Sequence, residues 1–215
     1  MLIQKGGVHM RGLWLIDGSY MYKASRSFQR DNPAYAYKGI DYQKLKARLR
    51  GQFRLESMDG YYFDSVPDLS RSAQNSYFNW LKNAEPNGPG LRVKLYGLKR
   101  RRVYCRTCGA TADIPVQKGV DVALATTALR LFSRYDAMVL SAGDGDFEDF
   151  VRYIVEDHDK RFYIAAFDGS ISPDLQQFSA ENYLLDEHYA DVCDDRCFEE
   201  PFDGLDDLDG EQLPM

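Results

Sequence analysis

Apolar runs that stop at a carboxylate alternate along this chain with stretches of helical periodicity. Arg11-Gly-Leu-Trp-Leu-Ile-Asp17 is an apolar strand ending in an acid. Gly18-Ser19 turns the chain, and a helix starts at Tyr20 with Ser19 or Asp17 in capping range. Asp31-Asn-Pro33 marks a loop. Asp41 is placed to cap a second helix running to Arg50, where Leu45 and Leu49 share a face. Phe53 to Phe63, rich in Tyr and Phe around Asp59-Gly60, is a core strand. Ser70 to Ala84 is helical, with Ala73, Tyr77, Phe78, Trp80 and Leu81 at helical spacing. Glu85 to Gly90 is a loop by composition.

The second half repeats the alternation. Leu91 to Gly97 alternates apolar and basic residues, as a half-buried strand does. Lys99-Arg-Arg-Arg102, Val103-Tyr104, a turn at Cys105-x-x-Cys108 and a returning arm from Thr111 to Val116 form a β-hairpin insertion. Lys118-Gly-Val-Asp121 leads into a helix from Val122 to Ser133. Asp136 to Leu140 is a buried strand, and the loop after Ser141 presents Asp144 and Asp146 at its carboxyl end. A helix from Phe147 to Asp157, a strand from Lys160 to Phe167, a short helix from Ser172 or Pro173 and an edge strand from Asn182 to Asp186 complete the pattern. No element is expected beyond about Ala190. This order predicts an α/β fold with a mostly parallel central sheet, helices on its faces and right-handed crossovers.

The length of 215 residues and a hydrophobic content of 44% support one domain over residues 1–190. Residues 191–215 form an acidic tail, expected to be largely disordered beyond Cys197. The net charge is −6, but the tail alone carries −9, which leaves the domain at +3 and open to a polyanion. No run approaches the ~20 apolar residues of a membrane span. The polar start of the chain is unlike a signal peptide, so a cytoplasmic location is expected. There is no G-x-x-x-x-G-K-[ST] phosphate loop and hence no support for an NTPase. Nothing in the pattern defines an oligomeric state or a protein partner.

Asp17, Asp121, Asp144 and Asp146 all fall at strand ends or helix starts. In a parallel sheet those ends share one edge, where ligands bind. Taken singly, Asp17 serves as a helix cap, Asp121 favours a helix dipole, and Asp144-Gly-Asp146 is a turn with side-chain-to-backbone bonds. Together they make an all-oxygen site for Mg²⁺ or Mn²⁺. Such an ion lowers the pKa of a bound water and stabilises phosphate charge, which suits phosphodiester hydrolysis. Ser19, Ser141, Lys99, Arg100, Arg101, Arg102 and Lys118 are candidates for contacting the substrate phosphates, although a basic hairpin is equally a solvated face.

Three blocks carry a family resemblance: Leu15-Ile-Asp-Gly-Ser19, Lys118-Gly-Val-Asp-Val-Ala-Leu-Ala125 and Leu140-Ser-Ala-Gly-Asp-Gly-Asp-Phe147. They resemble the signature blocks of the NYN domain, a PIN-like nuclease fold, in its LabA-like branch, and they occur in the family's order. The resemblance spans residues 11–190. It implies metal-dependent cleavage of RNA by an acid cluster, carried here by Asp17, Asp121, Asp144 and Asp146. Two departures from the family pattern motivate an alternative, a non-catalytic RNA-binding or regulatory module that keeps the fold. Tyr20 stands where the family commonly has Asn, and Thr127 stands where it often has a further Asp. A third, weaker reading of the acids is a phosphatase acting on a small substrate.

Four cysteines remain. Cys105-x-x-Cys108-Gly resembles a zinc knuckle, and Cys193 and Cys197 have a spacing that could complete a four-thiolate structural zinc site. The other readings are unpaired thiols or a redox pair.

Overall fold

The computed structural model describes residues 10–67, 69 and 75–194. The first strand, β1 (Met10–Asp17), runs into helix α1 (Gly18–Asp31) without a loop, because the Asp17 carboxylate accepts the Tyr20 N–H and caps the helix directly. The helix therefore starts at Gly18 rather than at the expected Tyr20. A short strand β2 (Gly39–Ile40) precedes α2 (Tyr42–Gln52), capped as expected by Asp41, whose carboxylate accepts the Gln43 and Lys44 N–H groups. Strand β3 (Leu55–Val66) follows, then α3 (Ser76–Lys82) and β4 (Arg92–Gly97). The start expected for α3 at Ser70 lies outside the described residues.

The hairpin is β5 (Lys99–Tyr104) paired antiparallel with β6 (Thr111–Val116). Helix α4 (Val120–Arg130), β7 (Ala137–Ser141), a 3₁₀ turn at Gly145–Phe147, α5 (Glu148–Glu156) and β8 (Arg161–Ala166) come next. The chain closes with α6 (Pro173–Gln176), β9 (Glu181–Leu184), α7 (Leu185–Val192) and β10 (Cys193–Asp194). This corrects the expectation of no element beyond Ala190. Leu185, Tyr189 and Val192 bury one stripe of α7, and β10 then pairs antiparallel with β2.

The six-stranded sheet has the order β4-β3-β1-β7-β8-β9, and every neighbouring pair is parallel. Its central strands are apolar on both sides, as a parallel sheet covered on both faces requires. On one face Trp14, Ile16, Tyr62, Val66, Leu45, Leu49 and Tyr189 form a core under α1, α2 and α7. On the other, Leu13, Leu15, Phe63, Leu124, Ala128, Leu140, Val151 and Ile154 form a core under α4 and α5. The predicted architecture is thus the observed one: helices on both faces of a parallel sheet, with a hairpin inserted after the β4 edge.

Candidate active site

The strand order reverses at β1. The chain first builds outward through β3 and β4, then returns to add β7, β8 and β9 on the other side. At such a switch point the connections leave in opposite directions and open a crevice at the carboxyl ends. Asp17 ends β1, with Ile16 level with Ser141 at the end of β7. Asp144 and Asp146 follow β7, and Asp121 lies in the first turn of α4, which packs on β1 and β3.

Asp17 and Asp121 feel the charges of neighbouring acids. Burial raises Asp17 to about 6. The Tyr20 and Ser19 N–H groups oppose that rise, while the charges of Asp121 and Asp144 add to it. Asp121 is raised by partial burial and then by the charges of Asp144 and Asp146. Among the described residues no Lys or Arg pairs with any of these four acids. The Asp144 carboxylate turns back on its own loop and accepts the Asp146 N–H at 3.0 Å. Also among the described residues, no three His, Cys, Asp or Glu side chains are grouped closely enough to hold a metal ion. The acids therefore share an electrostatic field rather than a closed ligand cage.

A fifth acid completes the group and was not singled out from the sequence. Asp64 lies in β3, fully buried. Its carboxylate accepts the Ser19 hydroxyl at 2.8 Å, the Ser65 N–H at 2.7 Å and the Tyr62 hydroxyl at 3.3 Å. Burial raises it to about 7. The Ser19 and Ser65 bonds oppose that rise, and the Asp17 charge adds to it. The signal was present: Tyr61-Tyr-Phe-Asp64 is an apolar run ending in an acid, as Leu15-Ile-Asp17 is. Ending the strand at Phe63 hid it.

Tyr20 and Thr127 both have structural work. The Phe167 N–H donates to the Tyr20 hydroxyl at 3.2 Å, and that hydroxyl meets Ser170 Oγ at 2.6 Å. Ser170 Oγ in turn donates to the Phe167 carbonyl at 2.7 Å. The closed ring ties α1 to the loop after β8. Gly143 passes beneath it, where a Cβ would sit 1.9 Å from the Ser170 carbonyl oxygen and 2.8 Å from the Tyr20 ring, so no larger residue fits. Tyr20→Phe is expected to lower stability by about 1–3 kcal/mol, because it strands the Phe167 N–H. The urea midpoint should fall at an unchanged slope, and an unmoved midpoint would show that the clamp contributes nothing. Thr127 is buried and accepts from Lys94 Nζ at 2.7 Å. Lys94 lies over the Tyr61 and Phe63 rings, with burial lowering its pKa.

The remaining candidates separate. Ser141 is fully buried and its Oγ accepts the Trp14 indole N–H at 2.9 Å, so it holds the core and is out of reach of a substrate. Ser19 reaches the crevice but gives its proton to Asp64. Lys99, Arg100, Arg101 and Arg102 are exposed along β5, with Arg102 paired to Asp113 at 3.2 Å. Lys118 is exposed just before α4. Cys105 and Cys108 stand together at the hairpin tip, where N–H groups of Cys108 and Thr107 lower the Cys105 thiol. Cys193 is in β10 against Ile40, and Cys197 lies outside the described residues.

A parallel sheet between two helical layers, with acids gathered around the switch point, defines a PIN-like α/β domain. The chain belongs to the NYN domain family, which matches residues 13–185, and is thereby a member of a nuclease-type class of domains. No curated protein matches it. Among solved structures it is similar to a protein of unknown function, VPA0982 from Vibrio parahaemolyticus RIMD 2210633. The two share 16% identity at a TM-score of 0.57, over 86% of this chain and 98% of that one, a likeness of fold alone. A Sir2 structure with the inhibitor EX-527 reaches a TM-score of only 0.38 at 12% identity, over 84% of this chain and 90% of that one, and carries no argument.

Proposed function

We propose that this protein is a divalent-metal-dependent endoribonuclease that hydrolyses RNA phosphodiester bonds in the crevice between β1 and β7. The observation that carries the reading is that Asp17 is raised by the charges of Asp121 and Asp144, and Asp121 by those of Asp144 and Asp146, in addition to burial, with no described cation paired to any of the four. Close acids without a counter-charge call for a shared proton or a bound cation. Carboxylate oxygens are the ligands that Mg²⁺ and Mn²⁺ prefer, so the donor set fits such an ion. Asp17 and Asp121 would hold it from β1 and α4, and Asp144 and Asp146 from the loop after β7. When bound, the ion supplies an acidified water and charge stabilisation at the phosphate. Asp64 fixes the Ser19 hydroxyl as a donor to itself, so Ser19 presents only acceptor lone pairs to the crevice. The hairpin cations and Lys118 would draw the polyanion to the same edge.

A second reading has its own support. The positions of Tyr20 and Thr127 are committed to a clamp and to Lys94, and the acids do not form a closed cage. A non-catalytic RNA-binding module would show both features. The two readings part on turnover. The expected result is internal cleavage of a labelled single-stranded or structured RNA with Mn²⁺ or Mg²⁺, abolished by EDTA. Tight RNA binding with no cleavage under any divalent ion would establish the binding module instead. Activity on a phosphomonoester but not on RNA would move the reading to a phosphatase.

A further inference from the structure

The hairpin tip carries chemistry that the crevice does not use. Strands β5 and β6 stand in solvent, and Cys105 and Cys108 occupy the turn between them. The turn is built as a knuckle. The Cys105 N–H donates to the Ala110 carbonyl at 2.8 Å, and the Gly109 N–H donates to the Cys105 carbonyl at 3.0 Å. Gly109 has φ +72°, a left-handed conformation that glycine adopts without strain. The Cys108 thiol lies close to the Cys105 sulfur across the turn. Two cysteines on one tight turn in a C-x-x-C-G sequence have the spacing of a zinc-binding pair.

We propose that Cys105 and Cys108 are half of a tetrahedral four-thiolate zinc site, completed by the same two residues of a second copy of this chain. Zinc in structural sites takes four ligands, so two thiolates per chain make half a site. Among the described residues no third His, Cys, Asp or Glu joins the pair. Cys193 is held elsewhere, in the β10 pairing with β2 and in a hydrogen bond to the Ala190 carbonyl. The hairpin offers a surface for the second copy. Val103 pairs across from Ala112, and on the same face Ile114 pairs across from Arg101, so Val103, Ala112 and Ile114 make a short apolar stripe flanked by Arg101 and leading to the tip. Val103 and Ile114 are both more than a third exposed. Arg100, Arg102 and Tyr104 fall on the opposite face, leaving it free for other contacts.

The test uses the full chain, purified under reducing conditions without chelator. Zinc content by elemental analysis should be about one ion per two chains, and light scattering should give twice the chain mass. Stripping the metal with 1,10-phenanthroline should return the monomer. Replacing zinc with Co²⁺ should give the intense visible bands and sulfur-to-cobalt charge transfer of a tetrahedral thiolate site. Cys105→Ser with Cys108→Ser should abolish both zinc and dimer, with circular dichroism confirming the fold, while Cys193→Ser should keep both. One zinc per monomeric chain, lost in Cys193→Ser or Cys197→Ser, would overturn the proposal in favour of a site within one chain. Reduced protein free of zinc, or a dimer that survives stripping, would also overturn it.

Discussion

Asp144→Asn is expected to slow metal-dependent RNA cleavage by at least about a hundredfold while leaving the protein folded, a loss larger than removal of an outer-shell partner causes. The substitution isolates charge from structure. Asp144 is exposed, and its carboxylate accepts the Asp146 N–H at Oδ1. An asparagine oxygen accepts that bond equally well, so the turn after β7 should persist. What disappears is one negative charge that acts on both Asp17 and Asp121. Asp17 and Asp121 both feel that charge and should relax toward the ordinary carboxylate range. Single-turnover rates across an Mn²⁺ titration would check it. A lost rate that excess Mn²⁺ partly restores indicates weakened ion binding. Cleavage at the wild-type rate would sink the assignment of this loop to the active site.

How far the sequence discloses this site depends on where each residue's partner lies. Asp17, Asp41 and Asp144 act on N–H groups two or three residues away, so spacing alone places them as caps and turns. The strands were legible because a doubly covered parallel sheet needs uninterrupted apolar runs. Asp64 was harder, since a buried carboxylate inside an apolar strand contradicts the pattern used to delimit that strand. Its partner Ser19 is 45 residues distant, and nothing local announces the pair. Ser141 failed for the opposite reason. A serine at a strand end beside two acids has the local signature of a phosphate contact, but Trp14, 127 residues earlier, claims its hydroxyl. Tyr20 departs from the family pattern in a way that only the fold explains, through a loop about 150 residues away. Local chemistry thus fixes the acids, and long-range packing decides which neighbouring hydroxyls remain available.

The metal-free protein should lose stability as pH rises from about 4 to about 7, and Mn²⁺ should remove most of that loss. Asp17 is raised from an ordinary 3.8 to about 6, and Asp64 from 3.8 to about 7. A raised carboxyl keeps its proton in the folded state after the unfolded chain has released it. Folding therefore binds protons in this window, and stability falls as pH climbs through it. At about 1.4 kcal/mol per unit, Asp17 accounts for roughly 3 kcal/mol and Asp64 for roughly 4, upper bounds because the two titrate against each other. Asp136 acts oppositely but outside the window, since hydrogen bonds from Arg11 hold it at about 2. Its contribution is lost only as pH falls below about 4. A divalent ion bound to Asp17 substitutes for the proton and stabilises the folded state by its own binding free energy above pH 7. Urea midpoints at pH 5, 6, 7 and 8, with and without Mn²⁺, would read both effects. Asp17→Asn should flatten part of the metal-free curve and abolish the response to Mn²⁺ together. A metal-free curve already flat across the window would contradict the burial of these two acids. A steep curve that no divalent ion flattens would instead identify Asp17 and Asp64 as a proton-sharing pair, and would separate the buried acids from any metal site.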